Sequence, residues 1–89
     1  HDALPICSAC TAAWHPSGDY LIVTAPDTGG HLQLWKVRAN APYTRTMLTQ
    51  LPAGVGPLYR ISPDGTRVLA FVSEAETPTV VFVDLQLVR

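Results

Sequence analysis

Few residues of this sequence are of types that carry chemistry, and those few are scattered. Cys7 and Cys10 form a Cys-x-x-Cys pair, which can be half of a metal site or a redox pair. The histidines are His1, His15 and His31. One Cys-x-x-Cys without a second pair is a weak metal signal, and the histidines lie far apart. We therefore predict no metal site.

Acidic side chains are the other candidates, because two neighbouring carboxylates can act as general acid and base. They are Asp19, Asp27, Asp64, Glu74, Glu76 and Asp84. We interpret Asp19 and Asp64 as turn residues and the two glutamates as part of a solvated loop. No Gly-x-Ser-x-Gly nucleophile elbow or phosphate-binding Gly loop occurs. We therefore predict no catalytic residues and no cofactor, and we interpret Trp35 as a core residue.

The composition is that of a turn-rich β protein with a modest core. The 89 residues are 47% hydrophobic and 15% charged, with 8 prolines and 6 glycines. These values exclude a disordered chain, which needs low hydrophobicity and high net charge. The net charge of −1, from 6 basic and 7 acidic residues, provides no basic stripe for nucleic acid. No apolar run approaches the roughly 18 residues of a membrane span.

The first six residues raise a separate expectation. The string from His1 to Ile6 resembles the translated end of a common short-read sequencing adapter. We interpret it as an artefact of a metagenomic fragment, and we treat residues 1–10 as a disordered lead-in that is left out of fold reasoning. On this interpretation the chain is truncated at its start and also at Arg89.

The elements that must position any site are organised around one hairpin that occurs twice. The first copy spans residues 14–23 and the second spans residues 61–70. In each copy a Pro pre-sets φ at the second turn position and a Gly accepts positive φ at the exit. The apolar run that follows is short, β-prone and bounded by turn residues, which predicts a strand rather than a helix.

We predict seven strands in two units, joined by a crossing loop over residues 52–57. The strands of the first unit, residues 11–51, are 11–14, 19–25, 31–37 and 43–51. Those of the second unit, residues 58–89, are 58–61, 66–73 and 79–85, and its fourth strand is missing. Gly18 lies 47 residues before Gly65, whereas Leu34 lies 48 before Phe82, which predicts one extra residue in the second unit's later turn.

A period in the high forties with four β segments per unit is typical of a propeller blade. The predicted fold class is therefore all-β, with two consecutive four-stranded antiparallel β-propeller blades, the second incomplete. One blade cannot bury both its faces alone, and stacking blades around an axis covers them. Two blades leave two apolar faces exposed. Since burial contributes roughly 25 cal/mol per Å², we expect this chain alone to be marginally stable or aggregation-prone.

The repeats resemble those of WD-repeat and TolB-like propellers over residues 11–85. Ser62-Pro63-Asp64-Gly65 is similar to the turn of TolB-like repeats, and Trp14-His15-Pro16-Ser17-Gly18 is similar to that of WD repeats. Leu34-Trp35-Lys36 and Phe82-Val83-Asp84 stand where WD repeats end in Trp-Asp. Gly30-His31 lies too close to Trp35 to be the Gly-His pair of those repeats.

The resemblance implies a non-enzymatic scaffold that binds a protein or peptide, with the remaining blades outside this fragment. Two alternatives stay open: the propeller portion of an enzyme, hydrolase or lactonase-like, and a periplasmic TolB-like accessory domain. In such propellers the turn between the second and third strands lies beside the loop that joins two blades. The candidate partner-binding residues in these loops are Asp27, Thr28, Gly54, Glu74 and Glu76.

Overall fold

The computed structural model describes residues 11–40, 44–74 and 76–85, which form two antiparallel sheets and no α-helix. Sheet 1 contains β1 (Ala12–Trp14), β2 (Tyr20–Pro26), β3 (Leu32–Arg38) and β4 (Arg45–Met47). Sheet 2 contains β5 (Val55–Ile61), β6 (Arg67–Val72) and β7 (Val80–Asp84). In both sheets the strands follow one another in chain order. The predicted all-β antiparallel class is thus confirmed, while the expectations for residues 1–10, including the cysteine pair, lie outside the described residues.

The two predicted hairpin turns adopt the same backbone geometry. In the first, the Gly18 amide donates to the His15 carbonyl at 2.9 Å and Gly18 has φ +79°. In the second, the Gly65 amide donates to the Ser62 carbonyl at 2.9 Å and Gly65 has φ +76°. Both glycines therefore occupy the left-handed region that the Pro-x-Gly pattern requires.

The fourth strand is shorter than predicted. The sequence suggested residues 43–51, but β4 covers only Arg45–Met47. The ladder ends because the Leu34 amide donates to the side-chain Oγ1 of Thr49, at 3.0 Å, instead of to a backbone carbonyl. A β-prone threonine thus ends the strand by supplying its hydroxyl.

The crossing loop is also shorter than predicted, because β5 begins at Val55 rather than at Leu58. Val55 is 1% exposed and pairs with Val72, so burial in the core extends the strand toward its N-terminus. The register then shifts before Tyr59. Pro57 lies at this irregularity, as expected for a residue without an N–H to donate to a ladder.

The second long hairpin differs from the sequence alignment. In the β2–β3 hairpin residue 20 pairs with residue 38, and in the β6–β7 hairpin residue 67 pairs with residue 84. The second hairpin is therefore one residue shorter than the first, not longer. By register the counterpart of Leu34 is Val80 rather than Phe82. The predicted counterpart, Phe82, thus lies two residues beyond the observed one, Val80. Both residues lie on the same face of the sheet, because side chains alternate along a strand.

The two sheets stack through unlike faces. In each sheet we call one face the front and the opposite face the back. The front carries Ile22 in sheet 1 and, in sheet 2, Leu69, which is the counterpart of Ile22 in the repeat. The core cluster joins Ile22 and Leu34, on the front of sheet 1, to Val68 and Ala70, on the back of sheet 2. A two-fold sandwich would bring equivalent faces together, whereas here a front meets a back.

Among the residues that the structure describes, three polar links cross between the sheets. The Tyr59 hydroxyl donates to the Ile22 carbonyl, and burial raises the pKa of Tyr59. The Thr11 hydroxyl donates to the carbonyl of Pro57 at 2.9 Å. The imidazole Nε2 of His15 lies 2.7 Å from the Gly65 carbonyl oxygen, which joins the two hairpin turns. Within the described residues every buried side-chain nitrogen or oxygen has a hydrogen-bond partner.

Candidate functional site

The candidate residues lie at one end of the stacked sheets, which we call the loop end. It comprises the β2–β3 turn, the crossing segment 51–54 and the β6–β7 turn. Gly54 connects these parts, because its carbonyl accepts a bond from the Ser73 amide at 2.9 Å and its backbone packs on Leu32. The hairpin turns at residues 15–18 and 62–65 lie at the other end. The structure therefore brings the predicted loops together.

Asp27 organises the β2–β3 turn from within. Its Oδ1 accepts the amide N–H groups of Gly29, at 2.9 Å, and His31, at 3.0 Å. Its Oδ2 accepts a bond from the side-chain amide of Gln33 at 3.1 Å. These donors, the His31 amide first, hold the pKa of Asp27 below its usual value. Both carboxylate oxygens are engaged inside the turn, so Asp27 positions the site.

Gln33 connects this turn to the crossing segment through a buried network. Its side chain is fully buried, and its amide nitrogen donates to Asp27 and to the Leu51 carbonyl, the latter at 2.8 Å. Its carbonyl oxygen accepts the Thr49 hydroxyl at 2.7 Å and the Leu51 amide at 3.1 Å. All four hydrogen-bonding positions of the amide are therefore satisfied, which makes the network rigid.

Position 54 requires glycine for two reasons, the lack of space for a side chain and the positive φ of the backbone. Its φ is +81°, and a Cβ added there would lie 2.2 Å from the Leu32 carbonyl oxygen. No side chain fits at that distance without movement of backbone. Gly54 thus allows the crossing segment to approach β3 closely, and it is a structural element of the loop end.

Thr28, Glu74 and Glu76 are exposed and remain available to a ligand. Glu74 has φ +60°, an uncommon backbone conformation for a residue other than glycine. Such outliers cluster at functional sites, where surrounding structure maintains the strain. The side chain of His31, which lies 3.9 Å from the Asp27 carboxylate, is 49% exposed. The accessible part of the loop end is therefore polar and mainly acidic.

Sequence reasoning did not identify Gln33 or Thr49. The pattern HLQLW predicts a strand, and nothing in it distinguishes a buried glutamine from an exposed one. The available signal was Asp27, whose carboxylate accepts a bond from the Gln33 side chain. Among the described residues no group of three or more His, Cys, Asp or Glu side chains could hold a metal ion.

The other residues weighed for chemistry lie elsewhere. His15 stacks on Tyr20 with ring centroids 4.3 Å apart, at the turn end. Trp35 is partly buried and donates its indole N–H to the Ala25 carbonyl at 3.0 Å. An open groove of about 610 Å³ lies on sheet 1, and its lining is polar and mostly exposed. The groove is lined by Asp19, Tyr20, Lys36, Arg38, Asn40, Thr44 and Thr46.

In the comparison with known proteins, no family model, no curated protein and no solved structure matches the chain. In residues 11–40, 44–74 and 76–85 there is no helix long and apolar enough to cross a bilayer.

Proposed function

We propose that the two sheets are consecutive blades of a WD-like or TolB-like β-propeller, and that the chain is part of a non-enzymatic scaffold whose loop end binds a protein or peptide. The front-to-back stacking supports the first part. Because the front of sheet 1 packs on the back of sheet 2, the front of sheet 2 stays free to receive a further sheet in the same way. Leu69 and Phe71 occupy that front, at the positions of Ile22 and Thr24 in sheet 1.

The loop end supports the second part. Propellers present loops at one end of the blades, and binding residues are found on loops that a rigid scaffold positions. Here Asp27 and the Gln33 network hold the scaffold, while Thr28, Glu74 and Glu76 face solvent. Their acidic character suits a partner segment that carries lysine or arginine.

The test uses peptides selected from a random phage-displayed library on the immobilised 89-residue chain. We expect basic peptides, and we expect their affinity to fall at least tenfold for Glu76→Lys and for Thr28→Arg. Ser17→Arg, at the exposed hairpin turn of the opposite end, is the matched control and should bind as the parent does. Selected peptides that bind both loop-end variants as well as the parent would refute the proposal.

A further inference from the structure

The polar groove on sheet 1 lies on the front of that sheet, toward the hairpin turn at residues 15–18 and away from the loop end. Sheet 2 covers this front around Ile22 and Leu34, whereas the groove is lined by residues of sheet 1 and its connections. A further sheet on the front of sheet 2 would not reach the groove, because sheet 2 lies between. Its volume of about 610 Å³ is within the range of small-molecule sites, about 300–1,000 Å³.

Strand register places two cations and two hydroxyl groups together in this groove. Lys36 pairs with Ile22 on the front, and Arg38, two residues further along β3, lies on the same face. Thr46 on β4 pairs with Lys36. The Thr44 carbonyl accepts the Arg38 amide at 2.9 Å, which places Thr44 opposite Arg38. Each cation of β3 therefore has a threonine beside it.

The two cations are available to an anion. Among the residues that the structure describes, neither Lys36 nor Arg38 forms an ion pair with a carboxylate. The Lys36 ammonium lies over the ring of Tyr20, 4.5 Å from its centroid, and this cation–π contact limits the motion of the lysine side chain. Arg38 offers a planar fork of N–H donors, which suits the oxygens of a phosphate group. The pair thus has the chemistry of a phosphate site.

The ring of Tyr20 is not free to stack on a ligand. His15 stacks on it with ring centroids 4.3 Å apart. Because β1 and β3 flank β2 on opposite sides, His15 and Lys36 approach opposite faces of the ring. Trp35 lies on the back of the sheet, since it pairs with Val23. The described part of the groove therefore offers no open aromatic face, which disfavours a nucleotide or another aromatic phosphate.

The rest of the lining consists of hydrogen-bonding groups. Asn40, Thr44 and Thr46 are exposed in the groove and provide an amide and two hydroxyls. Asp19 adds a carboxylate, which accepts hydrogen bonds from hydroxyl groups. These groups match a ligand that carries several hydroxyls. We propose that the groove binds a small aliphatic polyol phosphate, with its phosphate at Lys36 and Arg38 and its hydroxyls along the other lining residues.

The experiment is a titration of the isotope-labelled 89-residue chain with glycerol 3-phosphate, followed by amide chemical shifts at low ionic strength. We expect saturable shifts at Lys36, Arg38 and Thr46, with an affinity that falls as salt is added, because salt screens the charges. Glycerol alone should cause no saturable shift. Inorganic phosphate should bind more weakly than glycerol 3-phosphate, because it cannot occupy the hydroxyl-binding part of the groove.

Arg38→Gln should lower the affinity for glycerol 3-phosphate at least about tenfold, because it removes charge-assisted hydrogen bonds. Arg45→Gln is the matched control, since it removes the same charge from the neighbouring strand β4. Arg45 lies over the Trp35 ring on the back of the sheet, 5.3 Å from the ring centroid. Its affinity should stay within about twofold of the parent value, because the phosphate is bound on the other face.

The amide spectra of each variant show whether the fold is kept, and Lys36→Gln is a second disruption of the groove if Arg38→Gln fails to fold. Absence of saturable shifts in the parent overturns the proposal. So does an equal loss of affinity in Arg38→Gln and Arg45→Gln, or equal binding of inorganic phosphate and glycerol 3-phosphate. Binding of basic peptides at the loop end is a separate property, which Arg38→Gln should retain.

Discussion

The two sheets have the same strand order but bury their equivalent front positions differently. Leu34 in β3 is fully buried, and its counterpart Val80 in β7 is 41% exposed. Thr24 is 1% exposed, whereas its counterpart Phe71 is 45% exposed. The difference arises because the front of sheet 1 has a neighbouring sheet and the front of sheet 2 has none among the described residues. The burial of a front side chain therefore depends on whether a neighbouring sheet covers it, and not on the strand that carries it.

Shortening the two equivalent front residues tests this comparison most strongly. Leu34→Ala removes a fully buried side chain from the core and should lower the free energy of unfolding by about 3 kcal/mol. Val80→Ala should lower it by about 0.5 kcal/mol, because much of that side chain already contacts water. Urea denaturation at one fixed protein concentration measures both. Equal losses at the two positions would contradict the stacking of sheet 1 on sheet 2.

The junction between the sheets is tested by adding a methyl group to a glycine. Gly54→Ala places a Cβ against the Leu32 carbonyl and also occupies a left-handed backbone position, so we expect a loss of about 3 kcal/mol. Gly18→Ala is the control, because Gly18 has nearly the same φ but nothing within 4 Å of the added Cβ. It should cost about 1 kcal/mol. Thermal unfolding of the two variants separates the cost of the contact with Leu32 from the cost of the left-handed backbone conformation. Similar losses of stability in both variants would show that Gly54 does not approach Leu32 closely.

The buried network of sheet 1 is tested by a polar-to-apolar change. Gln33→Leu removes the acceptor of both the Thr49 hydroxyl and the Leu51 amide, and it leaves the Leu51 carbonyl with only the Gly54 amide as a donor, so we expect a loss of about 2 kcal/mol. Gln50→Leu, at a neighbouring exposed position, should change stability by less than about 0.5 kcal/mol. Hydrogen exchange of the Leu51 amide gives the local measurement. Unchanged protection of that amide in Gln33→Leu would exclude the network.

The smallest expected effect is the pH dependence that distinguishes the two hairpin turns. Donation by the Ser62 hydroxyl, and then by Thr66, lowers the pKa of Asp64 from 3.8 to about 2. Because the folded-state pKa is below the unfolded one, the ionised carboxylate stabilises the fold above pH 3.8. That contribution is lost as the pH falls to about 2. The first turn has Ser17 at the equivalent position and no such contribution.

Asp64→Ser should therefore make stability depend less steeply on pH between 3.8 and about 2, as measured by urea midpoints at several pH values. Asp27, whose pKa is also lowered, stays in both proteins, so some dependence remains. Ser17→Asp is the complementary change and should add pH dependence to the first turn. An unchanged slope in Asp64→Ser would indicate that the bonds to this carboxylate do not form.

Much of the fold could be predicted from local sequence, because turns and strands are decided by local residues. The two Pro-x-Gly turns and the short apolar runs after them predicted both hairpins. The end of β4 could not be predicted, since it depends on the Thr49 hydroxyl meeting Leu34, a residue that lies on another strand. The early start of β5 depends on burial of Val55 against the other sheet.

The sequence selected loops that lie close together in the structure, but it did not distinguish the residues that hold these loops from those that face solvent. The resemblance to propeller repeats selected Asp27 and Gly54, and in the structure both hold the loops in position. Thr28, Glu74 and Glu76 are the members that are exposed to solvent. The sequence does not reveal this division, because whether an acidic side chain is used internally depends on the distant donor Gln33.

The central claim is that the front of sheet 1 packs on the back of sheet 2. Nuclear Overhauser contacts to the methyl groups of Ile22 and Leu34 in the 89-residue chain test it most directly. The account predicts contacts from Ile22 and Leu34 to Val68 and Ala70. Contacts from Ile22 and Leu34 to Phe71 instead would contradict it, because they would place the two fronts together.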